Sequence, residues 1–164
     1  MDASLAEGQI FDAVKAKFGF VPNVIRELAA SPAAVRAYLA GQEALESGRL
    51  SPAERQLVQY VASKSHGCGY CSTAHGGLLR RLGGDPKLVD SDGPMSARDR
   101  AIVHATRLIV DSRGQVDSAE QGRLAAAGVD RSELLEIVAL VAMKVITNYT
   151  NHIAQTKIDP ELLK

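Results

Sequence analysis

The 164-residue chain is predicted to fold as an all-α domain, and three observations carry that prediction. No stretch alternates apolar and polar residues with period two for long enough to require a strand. Apolar residues recur instead at intervals of three and four, in segments bracketed by helix start and stop residues. The hydrophobic fraction is 46% but the aromatic share only 4%, with no tryptophan, so the core must be built from Ala, Leu, Val and Ile. That composition favours closely packed helices. The expectation is one domain over 1–164 with seven or eight helices, long enough to bury a core without disulfides.

In chain order, Leu5, Phe11, Val14 and Phe18 fall near helical spacing and Gly19 follows as a stop, giving a first helix over about 4–18. Pro22 suits the first turn of a short second helix, whose stripe is Val24, Ile25 and Leu28 and which Ser31-Pro32 ends. Val35, Leu39 and Leu45 carry an alanine-rich third helix to about Ser47. Ser51-Pro52-Ala53-Glu54 starts the next by two signals, proline at the first helical position and a Ser-x-x-Glu capping box. Leu57, Val58, Val61 and Ala62 form its apolar face as far as about Ser65, and Gly67 breaks it. A helix from about Gly69 then carries Leu78, Leu79 and Leu82 up to Gly83-Gly84.

Asp85-Pro86 begins a short helical turn, and Ser91 to Met95 reads as a linker. Helices over about 97–111 and 118–127 follow, the second closed by Gly128. Ser132-Glu133 opens the longest pattern, nearly apolar on all sides from Leu134 to Ile146 and extending to about Gln155, as expected of a central buried helix. The segment from Ser96 to Val103 echoes that from Ser51 to Val58, both reading Ser-x-x-acid-Arg-x-aliphatic-Val. Internal duplication and independent convergence on good capping both account for the echo.

Charge and targeting signals narrow the function classes. Nineteen basic and nineteen acidic residues give a formal net charge of zero, with no block of one sign to attract nucleic acid. The first twenty residues lack the basic start and apolar run of a secretory signal, so a cytoplasmic location is expected. No apolar run approaches the roughly 20 residues that span a bilayer, so no membrane partner is expected. In that setting the only two cysteines, Cys68 and Cys71, read as a redox couple or metal clip rather than a structural bridge.

Their spacing supports the compartment argument. With a helix from Gly69, Cys71 and His75 stand one turn apart on one face, and Cys68 lies at the helix start. Unpaired N–H groups and the helix dipole there favour a thiolate. One sulfur can attack an oxidised centre, the other can resolve the product into a disulfide, and His75 can move the proton. Glu54 would orient His75 or relay its proton if the two helices pack together; its capping box supplies a purely structural role instead.

Zinc is the chemical rival, with Cys68, Cys71 and His75 as ligands and Glu54 or His66 as a fourth, but the second paired knuckle of a structural site is missing. No metal and no cofactor is therefore expected. His66 reads as a helix-end residue, His104 as a hydrogen-bonded one, and Tyr70 as a packed ring or a substrate-facing hydroxyl. Asn148 and His152 sit either at a pocket or at the exposed end of the longest helix.

Glu54, the apolar helix after it, and Gly67-Cys68-Gly69-Tyr70-Cys71-Ser72-Thr73-Ala74-His75 together resemble the alkylhydroperoxidase D-like family of the carboxymuconolactone decarboxylase superfamily. The match looks closest to its peroxidase-related branch, in which Cys-x-Tyr-Cys is common, and the segment from Phe18 to Asn23 and the Asn148 region are similar to that branch too. The resemblance implies an all-helical fold, homo-oligomers (dimer, trimer or hexamer) and thiol-dependent reduction of hydroperoxides. It implies that Cys71 attacks the peroxide, Cys68 resolves the sulfenic acid, and His75 with Glu54 relays protons. It also implies a thiol reductant, by family analogy alone a lipoyl-bearing adaptor. Some members carry histidine directly before the second cysteine, where this chain has Tyr70. Decarboxylase members do not depend on a cysteine pair, so its presence argues against lactone decarboxylation. Other readings are disulfide reductase or decarboxylase-like activity on a small molecule, and a redox-sensing or zinc-binding module without catalysis.

Overall fold

The computed structural model describes residues 7–91 and 93–163, and among these residues there is no β-strand. The α-helices are α1 (Glu7–Phe18), α2 (Asn23–Leu28), α3 (Pro32–Glu46), α4 (Pro52–Ser65), α5 (Gly69–Arg81), α6 (Pro86–Asp90), α7 (Ala97–Ser112), α8 (Ser118–Ala126) and α9 (Arg131–Ala154). A short 3-10 turn, Pro160–Leu163, follows. The described residues thus hold nine α-helices where seven or eight were expected, because α2 and α6 are complete helices of only six and five residues. The expected start of the first helix near Ser4, and Asp92 of the linker, lie outside the described residues.

The boundaries follow capping chemistry. Ser31, Ser51, Ser96, Asp117 and Asp130 each accept a hydrogen bond at a helix start from the backbone N–H three residues on, and Ser51–Glu54 and Asp130–Glu133 close full capping boxes. The echoed segments adopt the same local structure. In each, the serine caps the helix and the following arginine reaches back five residues, Arg55 to the Leu50 carbonyl and Arg100 to that of Met95. At the other end of α7, Arg113 adopts a left-handed conformation (φ 57°) and the Gly114 N–H bonds the Ile109 carbonyl, which carries the helix one residue beyond the expected end.

Helix α9 is the axis of the molecule. It packs on α2, α3, α4, α5 and α7, and Ile137, Leu140 and Val141 on its inner face are buried among Leu57, Val61, Ile102 and Ala105. A second apolar cluster joins α1, α2 and α3 to Cys68 and Cys71. Arg98 of α7 ties three helix starts together by bonding Glu54 of α4, Glu133 of α9 and the Gly128 carbonyl.

The most extensive helix contact is α4 on α5, joined by three residues. Gly67, at φ 69°, makes the turn: its N–H bonds the Lys64 carbonyl and the Cys68 N–H bonds that of Ser63, a Schellman stop. Cys68 is at once the residue after this stop and the N-cap of α5. Farther along, Gly76 lets the Tyr60 ring lie against the α5 backbone; a Cβ built there would meet Tyr60 Cε2 at 3.1 Å. Tyr60 cannot give way freely, because its hydroxyl donates to the Asp90 carboxylate at 2.9 Å. Gly76→Val is therefore expected to destabilise the fold by roughly 1–3 kcal/mol through overpacking, read as a lowered thermal midpoint.

Candidate active site

The α4–α5 corner delivers the predicted sulfur pair and more. Cys68 and Cys71 are free thiols and both are buried, 2% and 3% exposed. Asn151 of α9 lies across them, its Nδ2 3.2 Å from Cys71 Sγ and 3.8 Å from Cys68 Sγ. The same amide leaves its buried Oδ1 without a partner among the described residues, so it is oriented for donation to sulfur at the expense of its own acceptor. The pair behaves as a shared-proton couple. Cys68 is pulled well below the usual thiol range because Cys71 donates to it, with the Asn151 amide and His152 adding to the effect. Cys71 is pushed up by that same donation and by burial.

His75 stands one turn beyond Cys71, as the spacing predicts, and both of its ring nitrogens are engaged. Nδ1 is 2.8 Å from Gln56 Oε1 and Nε2 is 2.6 Å from Lys144 Nζ. An ammonium can only donate, so Nε2 is the acceptor, and Nδ1 carries the hydrogen given to Gln56. Burial first, and the Lys144 charge second, hold the imidazole well below its ordinary range, so it is neutral. Lys144 is 1% exposed, with its Nζ 5.8 Å from the centre of the Tyr38 ring. Its affinity for a proton is lowered to about 8 by burial, against which the two sulfurs act.

Glu54 does not join this group. Its carboxylate accepts from the Ser51 N–H at 2.7 Å and from Arg98. Burial raises its affinity for a proton, but the Arg98 and Ser51 bonds outweigh this and hold it below the usual carboxylate range. The anticipated His75–Glu54 contact is replaced by Gln56, two residues on and so turned toward α5, while Glu54 faces α7. Among the described residues no three His, Cys, Asp or Glu side chains are grouped to hold a metal.

The remaining candidates also find places. His66 is the C-cap of α4 and its Nδ1 lies 2.9 Å from Asn148 Nδ2. His104 bonds Glu120 at the surface. His152 is exposed and stacks on Tyr149. Tyr70 is buried; its hydroxyl donates to Asp159 and lies 3.4 Å from the Val24 N–H.

A cavity of about 690 Å³ opens beside the sulfurs. Cys71, His75 and Lys144 line it together with Gln56 and Gln59, and Phe18, Phe20, Val24, Ile25 and Leu162 give it apolar walls. Cys68 is not among its lining residues. Sequence reasoning missed Lys144, Gln56 and Asn151. A signal was present for two of them: continuing the buried period of α9 from Ile137, Leu140 and Val141 leads to Lys144, Thr147, Asn148 and Asn151.

Comparison with known proteins supports the resemblance from outside. The model of the carboxymuconolactone decarboxylase family matches residues 29–91. An uncharacterized peroxidase-related protein from Ralstonia eutropha JMP134, described as an alkylhydroperoxidase AhpD core, is 26% identical, with a TM-score of 0.85 over 99% of this chain and 91% of that one. A peroxidase-related protein from Silicibacter sp. TM1040 is 25% identical, with a TM-score of 0.81 over 99% and 92%. The debrominase Bmp8, solved with 2,3,4-tribromopyrrole, shares the fold at 16% identity and a TM-score of 0.78 over 97% and 91%. No curated protein matches the sequence. The cysteine corner thus lies inside the segment that the carboxymuconolactone decarboxylase family model matches, and the chain superposes over nearly its whole length on structures described as peroxidase-related.

Proposed function

We propose that the protein is a thiol-dependent peroxidase that reduces hydroperoxides through the Cys68–Cys71 couple. The observation that carries this reading is the asymmetry of the two sulfurs: Cys71 lines the cavity beside His75, while Cys68 stands behind it within reach of the same Asn151 amide. As peroxide enters, the proton held between the sulfurs passes to Cys68 and the Cys71 thiolate attacks the terminal peroxide oxygen. The O–O bond breaks, an alkoxide leaves and takes up a proton, and Cys71 becomes a sulfenic acid. Cys68 then attacks that sulfur, water departs and a disulfide remains. A dithiol reductant, for which a lipoyl-bearing adaptor is the family's precedent, returns two electrons and two protons.

The apolar walls of the cavity suit the organic portion of such a substrate. Asn151 is a positioning residue for both sulfurs, and Gln56 fixes the His75 tautomer. Self-association is proposed through the outer face of α9, where Leu135, Val138, Tyr149 and Ile153 are exposed and positions 135, 138, 142, 145 and 149 alternate steps of three and four, the spacing of a helix seam. No helix among the described residues is long and apolar enough to cross a membrane.

In the decisive experiment, Cys71→Ser abolishes consumption of an organic hydroperoxide, and Cys68→Ser leaves a sulfenic acid on Cys71 that dimedone traps; full turnover by the first variant would sink the reading. Stoichiometric zinc with masked thiols would instead favour a metal-holding module. Glu54→Gln is expected to lower the thermal midpoint while changing peroxide turnover less than about threefold, whereas Gln56→Leu, which strips His75 of its partner, lowers turnover by roughly tenfold or more. Light scattering tests the α9 face: Leu135→Glu together with Ile153→Glu should reduce the assembled mass to that of one chain.

A further inference from the structure

Lys144 is the largest fully buried side chain of the described core, and it carries a charge. A buried ammonium is costly unless an anion compensates it. Among the described residues no carboxylate forms an ion pair with it. The groups facing it are Tyr38 from α3, the uncharged amides of Gln56 and Gln59 from α4, and His75 and the two sulfurs from α5. The cavity is also lined by Glu43, Glu46 and Glu161, but the groups whose negative charge acts on this ammonium are the two sulfurs. The imidazole is neutral and already accepts from Lys144, and the sulfur sharing the cavity wall with that ammonium is Cys71. Gln56 cannot ionise. His75, with Nδ1–H committed to Gln56 and Nε2 to Lys144, has no acidic proton free for a substrate.

We propose that Lys144 is a catalytic residue of this site: its ammonium is the counter-charge to the Cys71 thiolate and supplies the proton taken by the departing alkoxide, while His75 holds and aims it. The proton-delivery step rests on the peroxidase reading; the hold on the thiolate does not. The Cys71 thiolate, a hydroperoxide and the Lys144 ammonium give Cys71 sulfenic acid, an alcohol and the neutral Lys144 amine. Cys68 thiol and Cys71 sulfenic acid then give the disulfide and water. Reduction by an external dithiol restores two electrons and two protons, one of the protons returning to Lys144. Sulfur is oxidised, the peroxide is reduced, and the sum is one hydroperoxide to one alcohol and one water.

Two readouts on Lys144→Met, Lys144→Gln and Lys144→Arg test this, with every variant checked for folding by thermal melting. K144M removes a buried charge but also the donor to His75 Nε2, opposing effects that should leave its thermal midpoint within about 5 °C of the wild type. The first readout is alkylation of Cys71 by iodoacetamide against pH, followed by peptide mapping. K144M and K144Q should slow it at neutral pH by roughly tenfold or more and move its midpoint upward, and K144R should restore it.

The second readout is single-turnover reduction of cumene hydroperoxide. The wild-type rate should fall as pH rises through about 8, where Lys144 loses its proton. K144R, which keeps the charge but gives up its proton far less readily, should be slowed by roughly tenfold or more and show no such fall. Alkylation and turnover in folded K144M and K144Q within twofold of wild type overturn the proposal. A wild type that consumes no hydroperoxide, yet alkylates in a Lys144-dependent way, overturns the peroxidase reading and upholds the hold on the thiolate.

Discussion

The site is organised by the burial of a single ammonium. Lys144 occupies a position on α9 where the helical period calls for an apolar residue, between Val141 and Asn148 on the same inner face. Lowering a lysine from 10.5 to about 8 costs roughly 3 kcal/mol at neutral pH. The sign is that of a charged form disfavoured by folding: the penalty is full below about pH 8 and disappears as pH rises toward 10.5. The neighbours limit that cost. His75 turns its lone pair to the ammonium, Gln56 fixes the imidazole so that it can, and the sulfurs supply negative charge. Gln56 comes from α4, His75 and the sulfurs from α5 and its N-cap, and the close approach of α4 and α5 at Gly76 makes their meeting possible.

A polar seam continues from there through the interior. Gln42 bonds Gln59, the Ser63 hydroxyl reaches the Gln59 carbonyl and Asn148, and Asn148 meets His66. Of these groups Gln59, Ser63 and Asn148 are buried. A core holding such groups gives up apolar contact area in return for satisfied polar groups of fixed orientation. Beyond this seam the amide of Asn151 meets both sulfurs through its nitrogen, the only side-chain atom of the residue that can donate.

Much of this is legible in the sequence. Helix starts such as Ser51, Ser96 and Asp130 were legible because capping is local chemistry, complete within four residues. Cys68, Cys71 and His75 were legible because a single helix fixes their relative placement. Glu54 shows where that legibility stops. Its distance along the chain from the sulfurs suited a relay, but which face of α4 meets α5 depends on packing between helices, and the packing presents Gln56. Lys144 was hidden by its company, since a lysine in an apolar run is ordinarily a surface residue whose stem lies over the core. The short helix α2 was legible from its stripe, whereas α6, only five residues long, was legible only as a helical turn.

Tyr70, between the two cysteines, fastens the sulfur-bearing turn to both ends of the chain. Its hydroxyl meets Asp159, and the same carboxylate accepts from the Asn23 N–H at 3.2 Å, while Val24 N–H approaches the hydroxyl itself. Three points separated by tens of residues therefore close on one buried carboxylate. In kinetic terms these are among the most expensive loops in the molecule to close, so they belong to the late events of folding. During synthesis the cysteine corner can form as a local hairpin of α4 and α5, but the wall of its cavity formed by Glu161 and Leu162 is added only once Asp159 has been made and has folded back. The thiols are thus present in the nascent chain before the enclosure that distinguishes them from ordinary cysteines.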